Sequence, residues 1–85
     1  MDVRLVYFAW VRERIGREAE TITLPANVST IGGLLNYLQN LGENYAYALE
    51  AEGVVRTAIN HEHADSDATI QTGDEIAIFP PMTGG

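Results

Sequence analysis

Reactive chemistry in this chain concentrates at its last seven residues, Phe79-Pro80-Pro81-Met82-Thr83-Gly84-Gly85. Proline fixes φ and removes a backbone donor, so Pro80-Pro81 ends sheet pairing and favours an extended, pre-ordered exit. The residue before a proline is pushed towards extended geometry, which suits Phe79 as the end of a strand. From Met82 to Gly85 the chain can reach roughly 13 Å. Two glycines present the thinnest possible backbone, with no Cβ to obstruct a narrow cleft. A frayed terminus has no need of a stiff base. The pattern is that of a stem, Pro80, Pro81, Met82, Thr83 and Gly84, that would insert the Gly85 carboxylate into a narrow cleft.

The rest of the chain offers little competing chemistry. Cysteine is absent, which excludes thiolate nucleophiles, thiolate metal sites and disulfides within the sequence. His61, Glu62, His63, Asp65 and Asp67 place two imidazoles at i and i+2, but a structural zinc site wants four ligands and no cysteine is available. The stretch reads as a solvated loop, and no metal is expected. Glu18, Glu20, Glu50 and Glu52 have no paired His or Lys and read as solvated face. Phosphate-cradling and dinucleotide glycine patterns are missing, so no cofactor is expected on this chain. Gly85 remains as the reactive group.

Length and composition set the frame. Eighty-five residues suit one domain, 1–85, built on one core. No apolar run approaches a membrane span, and Met1-Asp2-Val3-Arg4 lacks the basic and apolar regions of a signal peptide, so a cytoplasmic location is expected. Twelve acids face five bases, a net charge of -7, and all five bases are arginine. Such a surface repels phosphate backbones, which argues against nucleic acid, and steers towards a basic protein partner.

The elements that must position the tail follow from periodicity. Val3–Trp10 alternates as a strand, Val11–Ile15 forms a short helical turn stopped by Gly16, and Glu18–Leu24 alternates again. Thr30 caps a helix running to about Leu41, with Ile31, Leu34, Leu35, Leu38 and Leu41 on one stripe and Gly42 at the C-terminal stop. Gly32 and Gly33 in its first turn are poor helix formers. Asn44–Glu50 suggests a second short helix through Tyr45, Ala48 and Leu49. Val54–Asn60 reads as a strand, His61–Ala68 as a polar loop with at most a very short strand, and Glu75–Phe79 as the last strand after a Gln71–Asp74 turn. Strands on both sides of a helix give an α+β fold: a mixed four- to five-stranded sheet crossed by one main helix. The first and last strands, apolar on both faces, are the expected central neighbours. This is the β-grasp, or ubiquitin-like, order.

Across its whole length the chain resembles the ubiquitin-like sulfur-carrier family of molybdopterin synthase small subunits. The resemblance is carried by Tyr7-Phe8-Ala9, Val11-Arg12-Glu13 and Gly16, the Leu-rich helix from Thr30, Ala58-Ile59-Asn60, Gly73-Asp74-Glu75 and the closing FPPMTGG. Gly32-Gly33, the polar His61-Glu62-His63 loop and Met82 depart from the family pattern. The resemblance implies that an ATP-dependent, ubiquitin-activating-type enzyme adenylates Gly85, and that a sulfur donor protein converts it to a thiocarboxylate. The tail then enters the large subunit, within an expected heterotetramer, and gives its sulfur to a pterin precursor during molybdenum cofactor biosynthesis. It also implies a non-catalytic subunit, with ATP belonging to the activating partner. Rival readings with the same Gly-Gly end are the carrier for thiamine thiazole synthesis and a protein modifier conjugated through Gly85.

A partner surface is expected beside the tail. If Leu5, Tyr7, Ile76 and Ile78 face the core, Phe8 and Phe79 share the opposite face on adjacent strands. Exposed apolar patches and aromatics mark interaction sites, so Phe8 and Phe79, with His63 nearby, are the expected interface for the large subunit.

Overall fold

The computed structural model describes residues 1–50 and 55–81. The chain runs β1 (Asp2–Tyr7), α1 (Ala9–Ile15), β2 (Ala19–Thr23), α2 (Ile31–Gln39), α3 (Glu43–Leu49), β3 (Arg56–Ile59), β4 (Glu62–Ala64) and β5 (Glu75–Phe79). The strands form one mixed sheet in the order β2-β1-β5-β3-β4. β1 and β5 are parallel, and the other pairs are antiparallel. First and last strands are therefore neighbours inside the sheet, with β5 at its centre, as the doubly apolar patterns predict.

One face of the sheet carries the core. Val3, Leu5, Tyr7, Ile76 and Ile78 are buried there against Val11 and Ile15 of α1, Ile31, Leu34, Leu35 and Leu38 of α2, and Tyr45, Ala48 and Leu49 of α3. Each fully buried Leu or Ile contributes about 1.5–3 kcal/mol relative to exposure. Thr30 caps α2 as its position predicts, its Oγ1 accepting the Gly33 N–H at 3.1 Å. Gly32 has a packing reason for its weak helix propensity. Its N–H donates to the Ser66 carbonyl at 2.8 Å, and a Cβ there would lie 3.2 Å from that oxygen.

Several expected boundaries move. β1 stops at Tyr7 rather than running to Trp10. The chain turns sharply at Ala9, which sits at φ 52, a left-handed conformation unfavourable for a residue with a Cβ. Trp10 consequently lies in α1. Helix α2 ends at Gln39, the Asn40 amide nitrogen donates to the Asn36 carbonyl, and Leu41 falls off the buried stripe with 45% exposure. Gly42 is not a C-terminal stop: its φ of -177 is extended, and it begins α3 instead. Strand β3 starts at Arg56, Val54 lying outside the described residues, and the very short strand anticipated after His61 is β4.

Candidate functional site

Register on the open face builds the site. Across the parallel pair, Leu5 faces Ile76, Val6 faces Ala77 and Tyr7 faces Ile78. Side chains alternate between faces along a strand. Burial of Leu5, Tyr7, Ile76 and Ile78 in the core therefore puts Val6 and Ala77 on the other side, where both are partly exposed. Ala77 faces Ala58 on β3, and Ala58 faces His63 on β4. Val6, Ala77, Ala58 and His63 thus form a row across four strands, with small side chains at its centre.

The next row is aromatic. Phe8 follows Tyr7 in extended backbone (φ -130, ψ 153), and its N–H donates to the Ile78 carbonyl at 3.1 Å, continuing the β1–β5 ladder one step. That step brings Phe8 beside Phe79, which faces Arg56 on β3. Phe8 is 48% exposed, and Phe79, Pro80 and Pro81 are half-buried. The tail leaves the sheet directly from this row. Met82, Thr83, Gly84 and Gly85, all named in the sequence reading, lie outside the described residues. His63 shares the open face but sits at the β4 edge, so it borders the first row rather than the aromatic one.

Beneath the aromatic row lies a polar cluster that sequence reasoning missed. Glu20 Oε2 accepts both the Tyr7 hydroxyl at 2.7 Å and the Tyr45 hydroxyl at 2.6 Å, while Arg17 donates to Oε1 at 3.1 Å. Glu20 was expected on a solvated face, yet its side chain is only 12% exposed. The available signal was its alternation with Ile22 and Leu24, which puts Glu20 and Ile22 on the core side of β2 and Leu24 in the core just beyond its end. Burial, followed by the hydrogen bond to Glu20 and that group's charge, pushes the Tyr7 hydroxyl far above the ordinary phenol range. The same causes push Tyr45 up to about 12. Both phenols therefore stay protonated donors at neutral pH. They join the end of β1, β2 and α3 immediately behind Phe8.

The opposite end of the open face is ionic. Glu75 lies 3.9 Å from Arg4 and 3.2 Å from His61, and His63 lies 3.6 Å from Asp65. Each histidine meets one carboxylate at an exposed position, and among the described residues no three such groups converge as a metal would require. No helix among those residues is long and apolar enough to cross a membrane.

Comparison with known proteins adds a family. Residues 5–85 match the model described as the ThiS family. The chain is 37% identical over 83 residues to the molybdopterin synthase sulfur carrier subunit of Haemophilus influenzae, and 34% identical over 83 residues to that of Escherichia coli (strain K12). Each alignment covers 98% of this chain and 99% of the relative. Among solved structures, the protein–protein complex of subunits 1 and 2 of molybdopterin-converting factor from Helicobacter pylori 26695 contains a chain matched at 26% identity. Its TM-score is 0.67, with all of both chains covered.

Proposed function

The chain belongs to the ThiS family, and from that membership we propose that it is the sulfur carrier subunit of a molybdopterin synthase. The observation that carries this reading is full-length identity of 34–37% to bacterial subunits bearing that name, in a chain ending FPPMTGG. The rival role in thiamine thiazole synthesis shares the fold and the terminal glycines but not those relatives.

In this reading Gly85 carries the sulfur. A carboxylate is a poor electrophile, so an adenylating partner first joins it to AMP as a mixed anhydride, releasing pyrophosphate. A sulfur nucleophile at the level of hydrosulfide adds to the acyl carbon, AMP departs, and a thiocarboxylate remains. Its sulfur then bonds to an electrophilic carbon of the pterin precursor in the large subunit, displacing an oxygen substituent that leaves with the bonding electron pair, and water cleaves the acyl–sulfur bond to regenerate the carboxylate. With no cysteine in the sequence, the terminal acyl group is the only place on this chain for such sulfur. Acid–base groups and ATP belong to the partners, and the chain itself is non-catalytic.

Residues on the described part of the chain dock and aim. Phe8 and Phe79 form an apolar anchor at the root of the tail, continuous with Val6, Ala77 and Ala58 and edged by His63. Desolvating an exposed aromatic beside a flat apolar row suits a protein–protein contact. Pro80 and Pro81 hold the exit extended, and Met82 to Gly84 thread the cleft. The Helicobacter complex of subunits 1 and 2 supports a large subunit as the partner.

Intact mass spectrometry of protein isolated from its native host tests the reading. A species heavier by sulfur replacing oxygen, mapped to Gly85, is expected. Recovery chiefly as adducts on lysines of other proteins would overturn it in favour of a modifier.

A further inference from the structure

Three of the five arginines, Arg12, Arg14 and Arg17, fall within residues 12–17, where Glu13 is the sole acid, in a chain of net charge -7. This locally basic stretch is most of α1 and the turn after it, and α1 starts directly after Phe8. Arg17 is held by Glu20. Arg14 is held differently: its guanidinium carbon lies over the Trp10 ring, 4.6 Å from the centroid, and over the Tyr47 ring, 4.5 Å from the centroid. Trp10 sits one helical turn earlier on α1 and is half-buried; Tyr47 reaches across from α3 and is 52% exposed.

Ring faces at these distances attract the cation and hold the long side chain in place. They offer no lone pair to its five N–H donors, and among the described residues Arg14 has no ion pair or hydrogen bond to a carboxylate. Arg14 is itself half-buried, and a pre-ordered guanidinium whose donors meet no carboxylate among the described residues gives up little further freedom on meeting one, which it binds through two parallel hydrogen bonds. We propose that Trp10, Arg14 and Tyr47 form a second docking lobe that receives an aspartate or glutamate side chain of the protein that takes the tail. The proposal rests on the docking role of Phe8 above and extends it around the corner at Ala9. Continuity is direct, since the Arg12 N–H donates to the Phe8 carbonyl at 3.3 Å. Charge sets the occupant: Arg14 presents a cation in a chain that is acidic as a whole, so it fits a carboxylate side chain on the partner.

Calorimetric titration of the full chain with the large subunit from the same organism tests this. Arg14→Gln is expected to raise Kd on the order of tenfold and to flatten its dependence on salt. Arg14→Lys keeps the charge, loses the fork and stays weaker than wild type. Tyr47→Ser removes an exposed ring and should shift Kd the same way, with thermal melts confirming that each variant folds. If Arg14→Gln binds within about twofold of wild type while Phe8→Ala is weakened, the second lobe is wrong and the docking face stands. If neither variant changes affinity, both fail. Dimerisation of the chain alone that Arg14→Gln abolishes would assign the lobe to a second copy and overturn the proposal.

Discussion

The Phe8 N–H donates to the Ile78 carbonyl at 3.1 Å, which ties the start of α1 to the strand that becomes the tail. Because β1 and β5 are parallel, their C-terminal ends lie at the same end of the sheet. Phe8 therefore stands where the tail departs, and a partner that grips Phe8 also fixes the direction of Pro80 and Pro81.

Replacing Phe8 with Ala removes an exposed ring and leaves the core intact. Affinity for the large subunit should fall by tenfold or more, about 1.4 kcal/mol or above. The melting temperature should stay within a few degrees of wild type. Isothermal titration and a thermal melt read the two quantities, and unfolding would show that Phe8 serves the core.

Glu20→Ala strips the shared acceptor from the Tyr7 and Tyr45 hydroxyls. A loss of about 2–4 kcal/mol in urea unfolding is expected, because two buried donors are left without their partner. Glu20→Gln keeps an acceptor and should cost less. Stability unchanged in Glu20→Ala would mean that the cluster contributes no net energy.

The same two phenols set an alkaline limit. Their folded pKa values lie above the ordinary 10.0, so their contribution is complete below about pH 10. It is lost as pH rises through about 12 for Tyr45, and later for Tyr7. Urea midpoints should hold steady up to about pH 10 and decline above it, with a smaller decline in Glu20→Ala.

The β3–β4 hairpin turns through Asn60 at φ 49 and His61 at φ 74. Asn60 tolerates this conformation, and its amide accepts the Glu75 N–H and donates to Asp74, both at 3.0 Å. Asn60→Ala should cost about 1.5–3 kcal/mol. His61→Gly should gain roughly 0.5–1 kcal/mol by relieving the left-handed φ, since the exposed His61–Glu75 pair adds little. Chemical denaturation of the two variants should shift in opposite directions.

Deleting Gly85 should abolish molybdopterin formation in a reconstituted assay while the circular dichroism spectrum stays unchanged. Retained synthesis would leave the tail a passive extension.

What the sequence made legible was what depends on local chemistry repeated along an element. The Thr30 cap, the Ile31–Leu38 stripe, the buried Tyr45, Ala48 and Leu49, and the adjacency of β1 and β5 all follow from periodicity and apolar content. The corner at Ala9 was not legible, because nothing in Phe-Ala-Trp marks a left-handed residue; packing of Val11 and Ile15 onto the core imposes it. Glu20 was misread for a related reason. A carboxylate in a core-facing register is normally unfavourable, and only the fold brings Tyr45 close enough to satisfy it. The end of α2 shifted because the Asn40 side-chain amide bonds to the Asn36 carbonyl, a competition that helical periodicity does not register.

Placing β5 at the centre of the sheet has a consequence for biosynthesis. It is the last of the five strands to be made, and β1 and β3 both need it as a partner. Until it emerges, β1 with β2 and β3 with β4 are separate pairs, and isolated two-stranded units are marginal at best. A nascent or truncated chain lacking β5 therefore cannot display the Phe8–Phe79 anchor. Recognition of the finished sheet would therefore exclude chains that stop short of β5 from docking.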